Sequence, residues 1–231
     1  RQLRQYHGRG VETIALGVNA VNRYRSTYAS SAALNRVQAQ KRRNKIILEG
    51  LTAVNEQGDE FNLLELQEHS LANPKNRRAE LMVRIAGFES TAKEYDHIGE
   101  FYTLTCPSRM HATLSRSGQK NPTYDGTTPK QAPTYLSTLF SRIRSKLDRL
   151  EIHRYGFRVV EPQHDGTPHW HLLLFMEPQH KESVREIFSH YALQEDGNER
   201  GAKKHRFTAV AIDRDKGTAA GYIAKYISKN I

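Results

Sequence analysis

The stretch "YGFRVVEPQHDGTPHWHLLLFM", residues 155–176, constrains the fold of this chain more than any other. Two runs of β-branched, aromatic and aliphatic residues flank Asp165-Gly166, a dipeptide suited to a tight turn, so they pair as an antiparallel hairpin. The second run ends in "LLLF", which belongs in a core, yet it begins with His169 and His171 one residue apart. In a strand, side chains at i and i+2 leave the same face. Two imidazoles therefore stand side by side at the end of a strand anchored in the interior.

The chain has 231 residues, enough for one or two domains and a sizeable core. Its 35 Lys and Arg outweigh 25 Asp and Glu, giving a formal charge of +10. Such a surplus suits a polyanionic partner, because Lys and Arg release counterions from phosphates. The single cysteine, Cys106, excludes an internal disulfide and any cysteine-rich zinc motif. No apolar run approaches the length of a membrane span, and no charged-then-apolar leader opens the chain. A soluble protein in a reducing compartment, not bound to a membrane, is expected. The absence of an initiating Met and an end at Ile231 in mid-pattern suggest a piece of something longer.

Residues 1–95 read as helical. In "NPKNRRAELMVRIAGFESTAKEY", Asn73 is placed to N-cap, Pro74 to occupy the first helical position, and apolar residues fall at 81, 82, 85 and 88. "AALNRVQAQKRRNKIILEGL" is a second helix whose polar face holds Lys41, Arg42, Arg43 and Lys45, a solvated face unless DNA lies against it. The period then changes. "EFYTLTCPS" (100–108) is a strand, and "RSGQKNPTYDGTTPKQAP" is a polar loop long enough to be functional or mobile. "TYLSTLFSRIRSKLDRLEI" is an amphipathic helix with Leu136, Leu139, Phe140, Ile143, Leu147 and Leu150 on one side. After the hairpin come a helix ("KESVREIFSHYAL"), a strand ("HRFTAVAID") and a final helix ("GTAAGYIAKYISKNI"). At least four strands with interspersed helices, and no steady βαβ rhythm, predict an α+β fold with an antiparallel sheet.

Neutral imidazoles are common ligands of transition metals, and hard divalent ions add a carboxylate. The histidine pair supplies two ligands, and a third must come from Glu161 or His164. With a two-residue turn at 165–166, residue 162 faces 169 and His164 shares the histidine face. With a three-residue loop at 165–167, residue 161 faces 171 and the carboxylate joins the pair. Pro162 and Pro168 both lack N–H donors, which disfavours a regular tight ladder and leaves room for a bulged loop. Without a third ligand the pair is unremarkable, its imidazoles satisfied by backbone carbonyls.

In "YIAKYISKN", residues 222–230, Tyr222 and Tyr226 lie i and i+4 on one helix face, with Lys225 beside them and Lys229 one turn beyond. A tyrosine hydroxyl can attack a phosphodiester when a cation withdraws charge from the phosphate. Alone, such a pair more often packs on a core with its hydroxyls at the rim.

Taken together and in this order, the strand "YTLT" with Thr103 and Thr105, the "PHWH" motif with Glu161 eight residues before His169, and the two-tyrosine helix "YIAKY" resemble the HUH endonucleases. The specific resemblance is to the bacteriophage replication gene A proteins. It covers about residues 95–231, dividing the chain into a helical N-terminal region (1–95) and an HUH endonuclease domain (96–231). It implies a central antiparallel sheet of four to five strands of RRM or ferredoxin-like type with flanking helices. It further implies that His169, His171 and Glu161 bind Mg²⁺ or Mn²⁺, which favours the three-residue loop. Tyr222 or Tyr226 would attack single-stranded DNA at a replication origin, giving a 5′-phosphotyrosine and a free 3′-OH primer. Lys225 would steady the phosphate or lower the tyrosine's pKa, with Lys229, Thr103 and Thr105 as further DNA contacts, and His164 stays outside the site. The protein would act as a monomeric rolling-circle replication initiator in the host bacterial cytoplasm; no helicase motif is present, so unwinding would come from a partner such as a host helicase or from a part of the protein not included.

Two rival readings remain. A conjugative relaxase or single-strand transposase shares the chemistry, but the first usually places its tyrosine before the histidines and the second generally has one tyrosine. A non-catalytic single-strand binding module would display sheet aromatics to bases, and would leave the histidines and paired tyrosines without a task.

Overall fold

The computed structural model describes residues 2–22, 24–213, 215 and 217–229, except for the side chains of Lys225, Ser228 and Lys229. The chain divides into two units, residues 1–81 and 82–230.

The first unit comprises α1 (Gln2–Gly17), α2 (Ser31–Glu49), β1 (Thr52–Val54), β2 (Glu60–Asn62), α3 (Leu63–His69) and the first turns of α4 (Pro74–Glu94). Ser30 caps α2 by accepting from the Ala33 N–H at 3.1 Å, and its own N–H and hydroxyl donate to Glu12 of α1 at 2.8 and 2.6 Å. Lys41, Arg42, Arg43 and Lys45 lie on the solvent face of α2, all exposed. Residues 52–62 depart from the helical expectation, because β1 and β2 form a short antiparallel hairpin. Local turn chemistry explains it: the Asn55 side chain accepts the N–H groups of Gln57 and Asp59, and Gly58 takes φ +87°. Asn73 caps α4 as expected, its side chain accepting from the Lys75 N–H at 3.0 Å.

The second unit holds the rest of α4, then β3 (Ile98–Thr105), α5 (Ala132–Arg149), β4 (Tyr155–Pro162), β5 (Pro168–Met176), α6 (Lys181–Ala192), α7 (Ala202–His205), β6 (Phe207–Ala211) and α8 (Ala219–Lys229). Its strands form one antiparallel sheet in the order β4-β5-β3-β6. Setting aside the four-residue α7, the core sequence is β-α-β-β-α-β with the first strand in the middle, the ferredoxin-like arrangement, and the fold is α+β.

Residues directly opposite one another across a ladder share a face, which sorts the sheet into two sides. On one side Tyr102 and Leu104 of β3 pair with Leu172 and Trp170 of β5, and the buried rows of α5 (Leu136, Leu139, Ile143, Leu147) and α6 (Val184, Phe188, Ala192) close over them. Glu100, also on this side and 0% exposed, is held by Arg185 of α6 through bonds of 2.7 and 3.0 Å. Leu150, expected on the buried row of α5, is 46% exposed. The helix ends at Arg149, and Glu151 takes φ +53° to turn the chain.

On the other side Phe101 pairs with Leu173, and Leu173 with Phe157. Phe88 of α4 packs on Tyr155 and Phe157, while α8 lies against β4 and β5 with Ile223 and Ile227 buried.

Candidate active site

The β4–β5 turn decides which side chains meet. Gly166 donates to the Gln163 carbonyl at 2.9 Å and takes φ +81°, and Gln163 donates to the Thr167 carbonyl at 2.9 Å. This is a three-residue loop, 164–166, with glycine in the left-handed position. Glu161 therefore faces His169, and Pro162 faces Pro168. Neither register expected from the sequence occurs: 162 does not face 169, and 161 does not face 171. The loop has the odd length of the three-residue alternative but starts one residue earlier, so Glu161 still shares the histidine face.

On that face the Glu161 carboxylate lies 3.0 Å from His169 Nε2 and 2.9 Å from His171 Nε2, and the two imidazole nitrogens are 2.9 Å apart. Glu161 and His171 are buried, and His169 is the partly exposed member. Two imidazoles and one carboxylate converging this closely form a possible metal-binding triad, a donor set that suits a divalent cation. His171 is also fixed from behind. Its Nδ1 is 3.0 Å from Thr103 Oγ1 of β3, the residue directly opposite it. With Nε2 as ligand, Nδ1 carries the hydrogen and donates to the threonine, which sets both tautomer and ring orientation.

The final helix reaches the same face. The Tyr226 ring lies 3.9 Å from the His171 ring at 32°, and stacks on Phe101 at 5.5 Å and 20°. Phe101 in turn stacks on His171 at 5.5 Å. Tyr222 sits one turn earlier on α8 and is half-buried. Lys225 and Lys229 are positions of α8 whose side chains lie outside the described residues. Thr105 pairs with His169 across the β3–β5 ladder and, with Thr103 and His169, lines a cleft of about 500 Å³ at this end of the sheet.

His164 is not at the triad. Its Nε2 donates to the Thr113 carbonyl at 3.0 Å, and its ring lies parallel to His111 at 6.3 Å. It is half-buried in that contact. His111 Nδ1 is 3.0 Å from Asp165 Oδ2. Burial works to raise the Asp165 carboxyl, but the His111 hydrogen bond and charge, the Thr167 N–H and nearby His164 outweigh it and hold the carboxyl below the usual carboxylate range.

Phe101, the orienting role of Thr103 and the His111–Asp165 pair were not singled out from the sequence. For the first two a signal existed: residues 101, 103 and 105 share a strand face by period two. Nothing local joins His111 to Asp165, 54 residues away.

The family model for the bacteriophage replication gene A protein (GPA) matches residues 1–231. The chain is 48% identical over 223 residues to the replication gene A protein of Escherichia phage 186, covering 95% of this chain and 32% of that protein. It is 40% identical over 232 residues to the probable replication protein P12 of Pseudoalteromonas phage PM2, covering 100% of this chain and 36% of that protein. A probable replication endonuclease from a prophage-like region of Salmonella typhi is 39% identical over 212 residues, covering 91% of this chain and 26% of that protein. The chain thus spans roughly a third or less of each relative. No solved structure matches it.

Proposed function

The chain belongs to the bacteriophage replication gene A protein family, and from that premise we propose that it nicks and rejoins single-stranded DNA at a replication origin through a tyrosine nucleophile, initiating rolling-circle replication. The observation that carries this reading is the Tyr226 ring lying on His171, a buried member of the Glu161–His169–His171 triad. Residues 96–231 form the endonuclease domain, preceded by the largely helical region 1–95.

Glu161, His169 and His171 would hold Mg²⁺ or Mn²⁺, and the ion when bound would supply Lewis-acid polarisation of a non-bridging phosphate oxygen. The Tyr226 phenolate attacks phosphorus in line, forming the Tyr–O–P bond as the P–O3′ bond breaks. Its place on His171 favours it for the first cleavage, with Tyr222 one turn away for the second. The energy of the broken ester is kept in the 5′-phosphotyrosine, so rejoining requires no nucleotide. The free 3′-OH serves as primer. Lys225 steadies the phosphate or lowers the tyrosine's pKa, while Lys229, Thr103 and Thr105 border the DNA path. Duplex unwinding falls to a host helicase. The protein acts as a monomer in the host cytoplasm, and among the described residues no helix is long and apolar enough to cross a membrane.

A bare single-strand binding module is disfavoured by Phe101. The ring that would stack a base is 8% exposed and already stacked on Tyr226 and His171. The reading is tested with a labelled origin oligonucleotide. A covalent protein–DNA adduct forms with Mn²⁺, disappears with chelator, and is absent from the Tyr222→Phe, Tyr226→Phe double variant. No adduct from the wild type, or an undiminished one from the double variant, overturns it.

A further inference from the structure

Beyond the triad, β3 runs out of the sheet at Thr105, opposite His169, and the chain then folds back over the β4–β5 turn. Cys106 Sγ donates to the Pro168 carbonyl at 3.4 Å, and Thr167 Oγ1 donates to the Met110 carbonyl at 3.1 Å. Asn121, 3% exposed, donates from its amide to the carbonyls of Ser108 and His111 at 2.7 and 2.9 Å. These bonds hold His111 beside the turn, at the end of the sheet that carries the triad.

There His111 meets Asp165, which is 4% exposed and whose second oxygen accepts the Thr167 N–H at 3.1 Å. The carboxylate can only accept, so His111 Nδ1 carries the hydrogen of their 3.0 Å bond. His111 Nε2 has no protein hydrogen bond among the described residues. His111 lines the same cleft as Thr105 and His169, and neither tyrosine is among the residues that line it. A buried acid that fixes one imidazole nitrogen and leaves the other without a protein partner, on a histidine that lines a cleft shared with His169, is the arrangement by which proteins orient a proton-transfer histidine.

In-line displacement at phosphorus places the leaving oxygen opposite the nucleophile. Tyr226 lies over His171, whereas the cleft opens past His169, so an oxygen departing from a phosphate at the triad leaves toward the cleft. We propose that His111 is the general acid of strand cleavage and that Asp165 is its positioning residue. This assignment rests on the phosphotyrosine reading above. As the Tyr–O–P bond forms and P–O3′ breaks, the proton on His111 Nε2 passes to O3′, while the phenolic proton of the tyrosine goes to solvent. On rejoining, neutral His111 takes the proton from the attacking 3′-hydroxyl.

The test compares two oligonucleotides, one natural and one with sulfur in place of the bridging 3′-oxygen at the nick. Sulfur leaves without being protonated, so the second substrate bypasses a general acid. His111→Ala lowers the rate of adduct formation on the natural substrate by about 10²-fold or more, and brings it to within about threefold of wild type on the sulfur substrate. Asp165→Asn shows a smaller loss with the same rescue. Cleavage of the sulfur substrate also reports that each variant is folded. Equal loss on both substrates, or none on the natural one, overturns the assignment. Wild-type protein that forms no adduct with either substrate overturns the phosphotyrosine reading, and this assignment with it.

Discussion

Leu172 and Leu173 are neighbours in sequence, and both are 0% exposed, but they face opposite ways through the sheet. Leu172 points to the side closed by α5 and α6, where the buried row is almost wholly apolar and the buried carboxylate of Glu100 has Arg185 against it. Leu173 points to the side that begins as a core, with Phe101 and Phe157, and ends in Glu161, His169 and His171. The first side could exist in any stable protein. The second keeps a carboxylate and two imidazoles at a buried edge, an arrangement with a desolvation cost that packing alone does not require. Stability and chemistry are thus separated by the thickness of one sheet.

Substitutions on the two sides should separate in the same way. The largest effect is expected from Glu161→Gln. Loss of the proposed anionic ligand should remove several kcal/mol of transition-state stabilisation, a fall of about 10³-fold or more in adduct formation, with an unfolding midpoint close to wild type. A matching collapse in stability would break the division. Next, Leu172→Ala should lower unfolding free energy by about 2–5 kcal/mol in denaturant titration, while adduct yield per folded molecule stays near wild type. If Leu172→Ala disables cleavage in folded protein, the apolar side is part of the machinery after all.

A finer test concerns the residue behind the ligand. Thr103→Val keeps shape but removes the partner of His171 Nδ1, and weakens Mn²⁺ affinity by about 10- to 100-fold by calorimetry; unchanged affinity would mean the threonine merely fills space. The smallest expected effect is that of Phe101→Leu, which gives up ring stacking worth about 0.5–1.5 kcal/mol. It should appear mainly as slower cleavage through a looser Tyr226, and only slightly in the melt.

The apolar side was the more legible of the two. Leu136, Leu139, Ile143 and Leu147 declare the buried face of α5 by spacing alone. On the other side, the i, i+2 rule put His169 and His171 together, and helical spacing put Tyr222 and Tyr226 on one face. What spacing did not supply was register. Loop parity is read from backbone bonds such as that of Gln163 to Thr167, and two plausible turns around Asp165-Gly166 both missed the one that forms. Long-range pairings were equally hidden: His111 reaches Asp165 only because the segment after β3 folds back over the turn. The β1–β2 hairpin was missed because its strands are three residues each, too short to show a period.

Trp170 gives the division an optical handle. It is the chain's only tryptophan and lies between His169 and His171 in sequence, yet it points to the opposite side, 3% exposed, edge-on to Phe140 with the Arg158 guanidinium 3.9 Å from its ring. Its emission therefore reports the packing of the α5 side, across the strand from the triad. Excited selectively, above the tyrosine absorption band, this single indole registers whether the scaffold is intact, separately from the state of the neighbouring imidazoles.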